Sequence, residues 1–65
     1  MTKKVDYIAK FNTGNVIVST SKRGLFRAMR AYFDTCTEAY IAELSYGGEV
    51  FGYAWKTPKG LHVAP

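Results

Sequence analysis

Few side chains in this chain are able to do chemistry. Cys36 is its one thiol and His62 its one imidazole. Together they fall short of the four ligands of a structural zinc site. A Cys–His dyad would need Cys36 to leave an apolar helical stripe and meet a histidine near the C-terminus. The carboxylates fare no better as an acid–base pair. Glu38 and Glu43 are five apart in a stretch that reads as a strand, so they point to opposite faces. No glycine-rich phosphate loop, Walker pattern or nucleophile elbow occurs. The expectation is a protein without enzymatic activity, with no catalytic residue, no metal site and no cofactor.

Charge is more informative. Nine Lys and Arg against five Asp and Glu give a net +4. Residues 1–30 hold seven basic residues against Asp6 alone, net +6, while residues 31–65 hold Lys56 and Lys59 against four acids, net −2. The most localised basic feature is Arg23, Arg27 and Arg30, flanked by Lys22. The spacing i, i+4, i+7 lines the arginines along one helix face over about 10 Å at 1.5 Å rise per residue. Such a stripe suits an acidic protein partner or successive phosphates of a nucleic acid, held without base readout. It is equally the ordinary wet face of a surface helix.

The elements that hold these residues follow from periodicity. Val5, Tyr7, Ala9 and Phe11 alternate with other residues at period 2, Asn12-Thr13-Gly14-Asn15 supplies a turn, and Val16-Ile17-Val18 resumes a β-branched run. This predicts a hairpin with strands at about 4–11 and 15–19. A two-residue Thr13-Gly14 loop would set Phe11 opposite Val16 and Ala9 opposite Val18. Ser19, Thr20 and Ser21 are each competent helix caps. Beyond them Leu25, Ala28, Met29, Tyr32 and Cys36 follow helical spacing, predicting an amphipathic helix at about 21–35 with Arg30 placed to pair with Asp34.

A second hairpin is expected from the Gly47-Gly48 turn and the alternating run Phe51-Gly52-Tyr53-Ala54-Trp55, with strands at 38–46 and 49–56. That register pairs Leu44 with Phe51, Ala42 with Tyr53 and Tyr40 with Trp55, turning the rings toward the helix. Residues 57–65 read as a tail that adds at most a short edge strand. The predicted fold class is α+β: ββαββ, a four-stranded antiparallel sheet with one helix packed on one face, forming a single small domain over 1–65.

One helix covers one sheet face, which leaves Ile8, Ile17, Ile41 and Val50, with the small Ala39, Gly52 and Ala54, on an uncovered side interrupted by Lys10, Glu43 and Lys56. Tyr46, beside its turn, reads as an exposed ring. A hydrophobic share of 48% and ten aromatics exclude disorder, and a lone cysteine excludes a disulfide scaffold. The first eleven residues lack the apolar run of a signal peptide, and no stretch approaches the roughly 20 apolar residues of a membrane span. A cytoplasmic protein that does not engage membranes is expected. In its size, lone helix and tight glycine turns the chain resembles the small stand-alone regulators encoded by phages and mobile elements. The leading expectation is a small binding protein that docks on a protein partner, acidic if the arginine stripe is used, and modulates or inhibits it. A homodimer through the open face belongs to the same reading. The alternative is a basic nucleic-acid-binding protein that grips the phosphate backbone with Lys22, Arg23, Arg27, Arg30 and the lysines near the N-terminus.

Overall fold

A computed structural model describes residues 6–65. The expected strand start at residue 4, and Lys3 and Lys4 of the basic half, lie outside the described residues. The elements are β1 (Tyr7–Phe11), β2 (Val16–Ser19), α1 (Lys22–Thr35), β3 (Ala42–Tyr46), β4 (Glu49–Thr57) and β5 (Gly60–Ala64). All strand pairings are antiparallel, in the order β2-β1-β3-β4-β5. The fold is α+β, with one helix on a five-stranded sheet. The expected four strands become five because Thr57 closes a tight turn. Its Oγ1 donates to the Gly60 carbonyl at 2.9 Å and accepts from the Lys59 N–H at 3.2 Å, folding residues 60–64 back along β4.

α1 begins where its cap dictates. Ser21 has extended φ and ψ, and its Oγ accepts from the Gly24 N–H at 3.0 Å, a contact worth about 1 kcal/mol. Leu25, Met29 and Phe33, one per turn, are buried against the sheet, with Phe26, Tyr32 and Cys36 packed at their margins. Ala9 and Phe11 of β1, Ala42 and Leu44 of β3 and Ala54 of β4 complete the core. Each large buried side chain contributes about 1.5–3 kcal/mol through removal of apolar surface from water. Phe11 packs edge-on to Phe33, ring centroids 5.2 Å apart, and tilts onto Tyr32 at 4.3 Å.

Two local devices set which side chains face that core, and both depart from the sequence expectation. The first is the β1–β2 loop. The Gly14 N–H donates to the Phe11 carbonyl at 3.0 Å, and the Phe11 N–H to the Asn15 carbonyl at 2.9 Å. Gly14 has φ +94°, a left-handed conformation that glycine adopts without steric cost. The loop is therefore three residues, Asn12-Thr13-Gly14, and β2 slips by one, setting Ala9 opposite Ile17 and Ile8 opposite Val18. Ile17 turns to the helix and packs against the core, and Val16 and Val18 turn outward.

The second device is a bulge in β4. Next to the two-residue Gly47-Gly48 turn, Tyr46 opposes Glu49 and Ser45 opposes Val50, as expected. The register then shifts: Leu44 opposes Gly52, Glu43 opposes Tyr53 and Ala42 opposes Ala54, leaving Phe51 as the extra residue. The expected pairs Leu44–Phe51, Ala42–Tyr53 and Tyr40–Trp55 do not form. Gly52 and Ala54 are buried on the helix side, while Tyr53 and Trp55 face outward. The expected strand over 38–46 is shortened to Ala42–Tyr46, because Asn12 engages the backbone of residues 38–41.

The β2 register is directly testable. Ile17→Ser should cost about 1–2 kcal/mol by removing apolar packing at the core margin, while Val18→Ser stays within about 0.5 kcal/mol as an outward substitution. Thermal denaturation of the two variants measures the difference, and a reversed order refutes the register.

Candidate functional site

The outward face of the sheet is built from two straight rows that cross four strands. One runs Val16, Lys10, Glu43, Tyr53, and the other Val18, Ile8, Ser45, Val50. Four of the large hydrophobic residues that stand exposed, Val16, Val18, Val50 and Tyr53, lie on this face, each between 41% and 57% accessible. Ile8, Ile41 and Trp55 are half-buried. The Trp55 ring tilts onto His62 of β5 at 4.7 Å, so the histidine stands in a strand against an aromatic surface. A shallow depression of about 250 Å³ is lined by Lys10, Phe11, Asn12, Ile41, Glu43 and Tyr53. The face is thus an apolar field with one cation and one anion side by side at its middle.

Residue by residue, the structure rearranges the expected membership. Ile8, Ile41 and Val50 lie on the open face as anticipated. Ile17 is on the helix side, because the three-residue loop reverses the parity of β2. Tyr46 is exposed but also on the helix side, stacked on Tyr7 at 4.4 Å. Ala39 is buried in the core, and Lys56 reaches back to the helix, where its Nζ donates to Asp34 Oδ1. That contact replaces the expected Arg30–Asp34 pair, and since both side chains are largely exposed it adds little stability. Val16, Val18, Tyr53 and Trp55 were not legible as outward residues, since only the loop length and the bulge reveal their side.

Asn12 holds this face to the rest of the molecule, a role its sequence context conceals. Its Nδ2 donates to the Glu38 carbonyl at 2.9 Å, and its Oδ1 accepts from the N–H groups of Tyr40 at 2.9 Å and Ile41 at 3.3 Å. Its own N–H donates to the Ile41 carbonyl at 3.1 Å. The segment between α1 and β3 is thereby clipped to the β1–β2 turn, which sets Ile41 at the edge of the open face. Tyr32 secures the same turn from the helix. Its hydroxyl accepts from Asn15 Nδ2 at 2.6 Å and hydrogen-bonds Thr13 Oγ1 at 2.8 Å.

On the opposite side of the molecule, Arg23, Arg27 and Arg30 are all exposed. Among the described residues the one ion pair is Lys56–Asp34, so none of the three arginines is neutralised by another described side chain. Lys22 leaves the stripe. At about 100° per residue it points well away from the arginines, and its Nζ lies 5.4 Å from the Phe51 ring centroid, a cation–π geometry. The stripe instead continues into a cleft of about 280 Å³ lined by Arg30, Phe33, Asp34, Lys56, Lys59 and Leu61. The first helical turn carries no acidic residue, so Lys22 and Arg23 sit against the positive end of the helix dipole.

Comparison with protein-family models, with curated proteins and with solved structures returned no match. The class is therefore defined by geometry alone: a two-layer α+β domain with one sheet face uncovered among the described residues. Among the described residues no three His, Cys, Asp or Glu side chains converge on a metal-sized site, and no helix is long and apolar enough to cross a membrane.

The Asn12 clip yields a second test. Asn12→Ala removes three side-chain hydrogen bonds and should cost about 1–2 kcal/mol, a value reduced by solvent access. Amide exchange at Tyr40 and Ile41 should accelerate ahead of the core strands. Unchanged exchange at both would mean that the loop is held by other contacts.

Proposed function

We propose that this chain acts by binding protein rather than by catalysis, as a small regulator whose contact is the open sheet face. One observation carries the reading. The loop at Gly14 and the bulge at Phe51 turn Val16, Val18, Tyr53 and Trp55 outward, beside Ile8, Ile41 and Val50, on a face that no other element of the described residues covers. Contiguous apolar and aromatic surface of this kind, with few charges at its centre, is what protein contacts are made of. β1, β3 and β4 are each paired on both sides, so the middle of the face presents side chains rather than a free strand edge. Modulation or inhibition would follow from occupying the surface of the protein that docks there.

A second reading, contact with nucleic acid, is favoured by the three unneutralised arginines and by the cations at the start of α1. Lysine and arginine there are unfavourable to the helix dipole, and their charge is presented to solvent, where an anion could meet it. Three phosphate contacts would give an affinity that falls with a slope of about −3 in log salt, at about 0.9 per phosphate.

The two readings separate in one set of variants. Val18→Lys with Tyr53→Lys leaves the arginines intact, and Arg23→Gln, Arg27→Gln, Arg30→Gln leaves the sheet face intact. The first pair is expected to abolish retention of protein from the source lysate, and to suppress the change in Trp55 emission on adding the purified captured protein. The second set should leave both unchanged. Protein retention that survives the lysine pair would refute the open-face reading. A salt-sensitive complex with mixed-sequence nucleic acid, lost in the arginine set, would establish the second.

A further inference from the structure

We propose that a second copy of this chain occupies the open face. The two sheets stack face to face about a two-fold axis that runs parallel to the strands, between β1 and β3. This rests on the reading of that face as the contact and adds its occupant.

Lys10 and Glu43 are direct cross-strand neighbours on β1 and β3, and both are exposed. The only ion pair among the described residues lies elsewhere, at Lys56–Asp34, so neither charge is engaged by another described residue. In a two-fold interface every contact is reciprocal. An axis between their strands carries Lys10 of each copy onto Glu43 of the other, giving two symmetric ion pairs at the centre.

The same operation lays β2 of one copy over β4 of the other, because these strands flank the central pair on either side. The registers then bring Val16 onto Tyr53 and Val18 onto Val50. The exposed large hydrophobics of the face thus meet one another, and Lys10 meets Glu43. β5 extends beyond the overlap. Sheets stacked in this way lie about 10 Å apart, with their strands within about 30° of alignment.

Area permits it. Four strands about 4.8 Å apart and about 17 Å long, with the relief of their side chains, bury on the order of 1,000 Å² between two copies, the lower bound for a specific interface. Charge favours it as well. The chain carries a net +4, so two copies repel through most of their surface, whereas this patch is neutral and self-complementary. α1 stays outward on both copies, which leaves two arginine stripes free on the dimer.

The test is sedimentation equilibrium on the full chain, with Trp55 emission followed over the same concentrations. Wild type is expected to form a dimer. Lys10→Glu and Glu43→Lys should each weaken it at least about tenfold, since like charges then face each other across the interface. An equimolar mixture of the two variants should restore a dimer of wild-type affinity, because each like-charge pair becomes an opposite one only between chains. Far-UV circular dichroism establishes that each variant is folded, and the doubly swapped chain, Lys10→Glu with Glu43→Lys, should dimerise like wild type even if a single variant does not fold. A dimer indifferent to both swaps, or variants whose mixture stays monomeric, overturns the arrangement. A monomeric wild type overturns the second copy alone. Loss of captured protein in Val18→Lys would then uphold the open face as a contact for a different protein, and its retention would remove both readings.

Discussion

A fourteen-residue helix covers one face of a small sheet, and every other property of this molecule follows from which side chains that face receives. Leu25, Met29 and Phe33 form a single buried line, and the sheet must present them a matching surface of Ala9, Phe11, Ala42, Leu44 and Ala54. The sheet residues beneath the helix are small at Ala9, Ala42 and Ala54, so the helical side chains fill the space between the layers. Tyr7, Ile17, Phe51 and Leu61 pack at the margins of that core, and Ile8, Val16, Val18, Val50, Tyr53 and Trp55 turn outward. The uncovered face is a consequence of having one helix for five strands.

Which residues are sent outward is decided by two small irregularities. A left-handed Gly14 adds one residue to the first loop, and Phe51 adds one to β4. Each reverses the parity of the chain that follows it. The bulge also places Phe51 at the rim of the helix side, edge-on to Tyr7 at 6.2 Å and beneath Lys22. That end of the sheet is closed by a cluster of rings formed by Tyr7, Tyr46 and Phe51. The opposite end is closed by hydrogen bonds, with Asn12 and Tyr32 tying two loops together. A small core is thus sealed at one end by aromatic surface and at the other by polar groups that water would otherwise hold.

The charges divide along the same two layers. On the helix side, Lys56 and Asp34 satisfy each other and the arginines point to solvent with no ion-pair partner among the described residues. On the sheet side, Lys10 and Glu43 stand in an apolar surround. A lone charge there would be costly to bury, and a reciprocal pair much less so. The two surfaces therefore differ in chemistry: the helix side is cationic, and the sheet side is apolar with one charge of each sign near its middle.

The sequence by itself determined the helix, a cap among Ser19, Thr20 and Ser21, most of its buried stripe and its three-arginine face, because helical position depends only on the period of the residues within that one segment. It also determined the existence of both hairpins and the Gly47-Gly48 turn, since those signals are local. It set Ile17 on the open face and Tyr53 and Trp55 toward the helix, and the structure reverses all three and with them the makeup of the candidate contact. Only the tertiary structure decided those, together with the fifth strand, the Asp34–Lys56 pair and the Asn12 clip. The physical reason is that a strand has no face of its own. Its residues alternate, and which half is buried is fixed by pairing with a neighbour, so a single residue more in a loop or a bulge exchanges inside for outside along the whole strand.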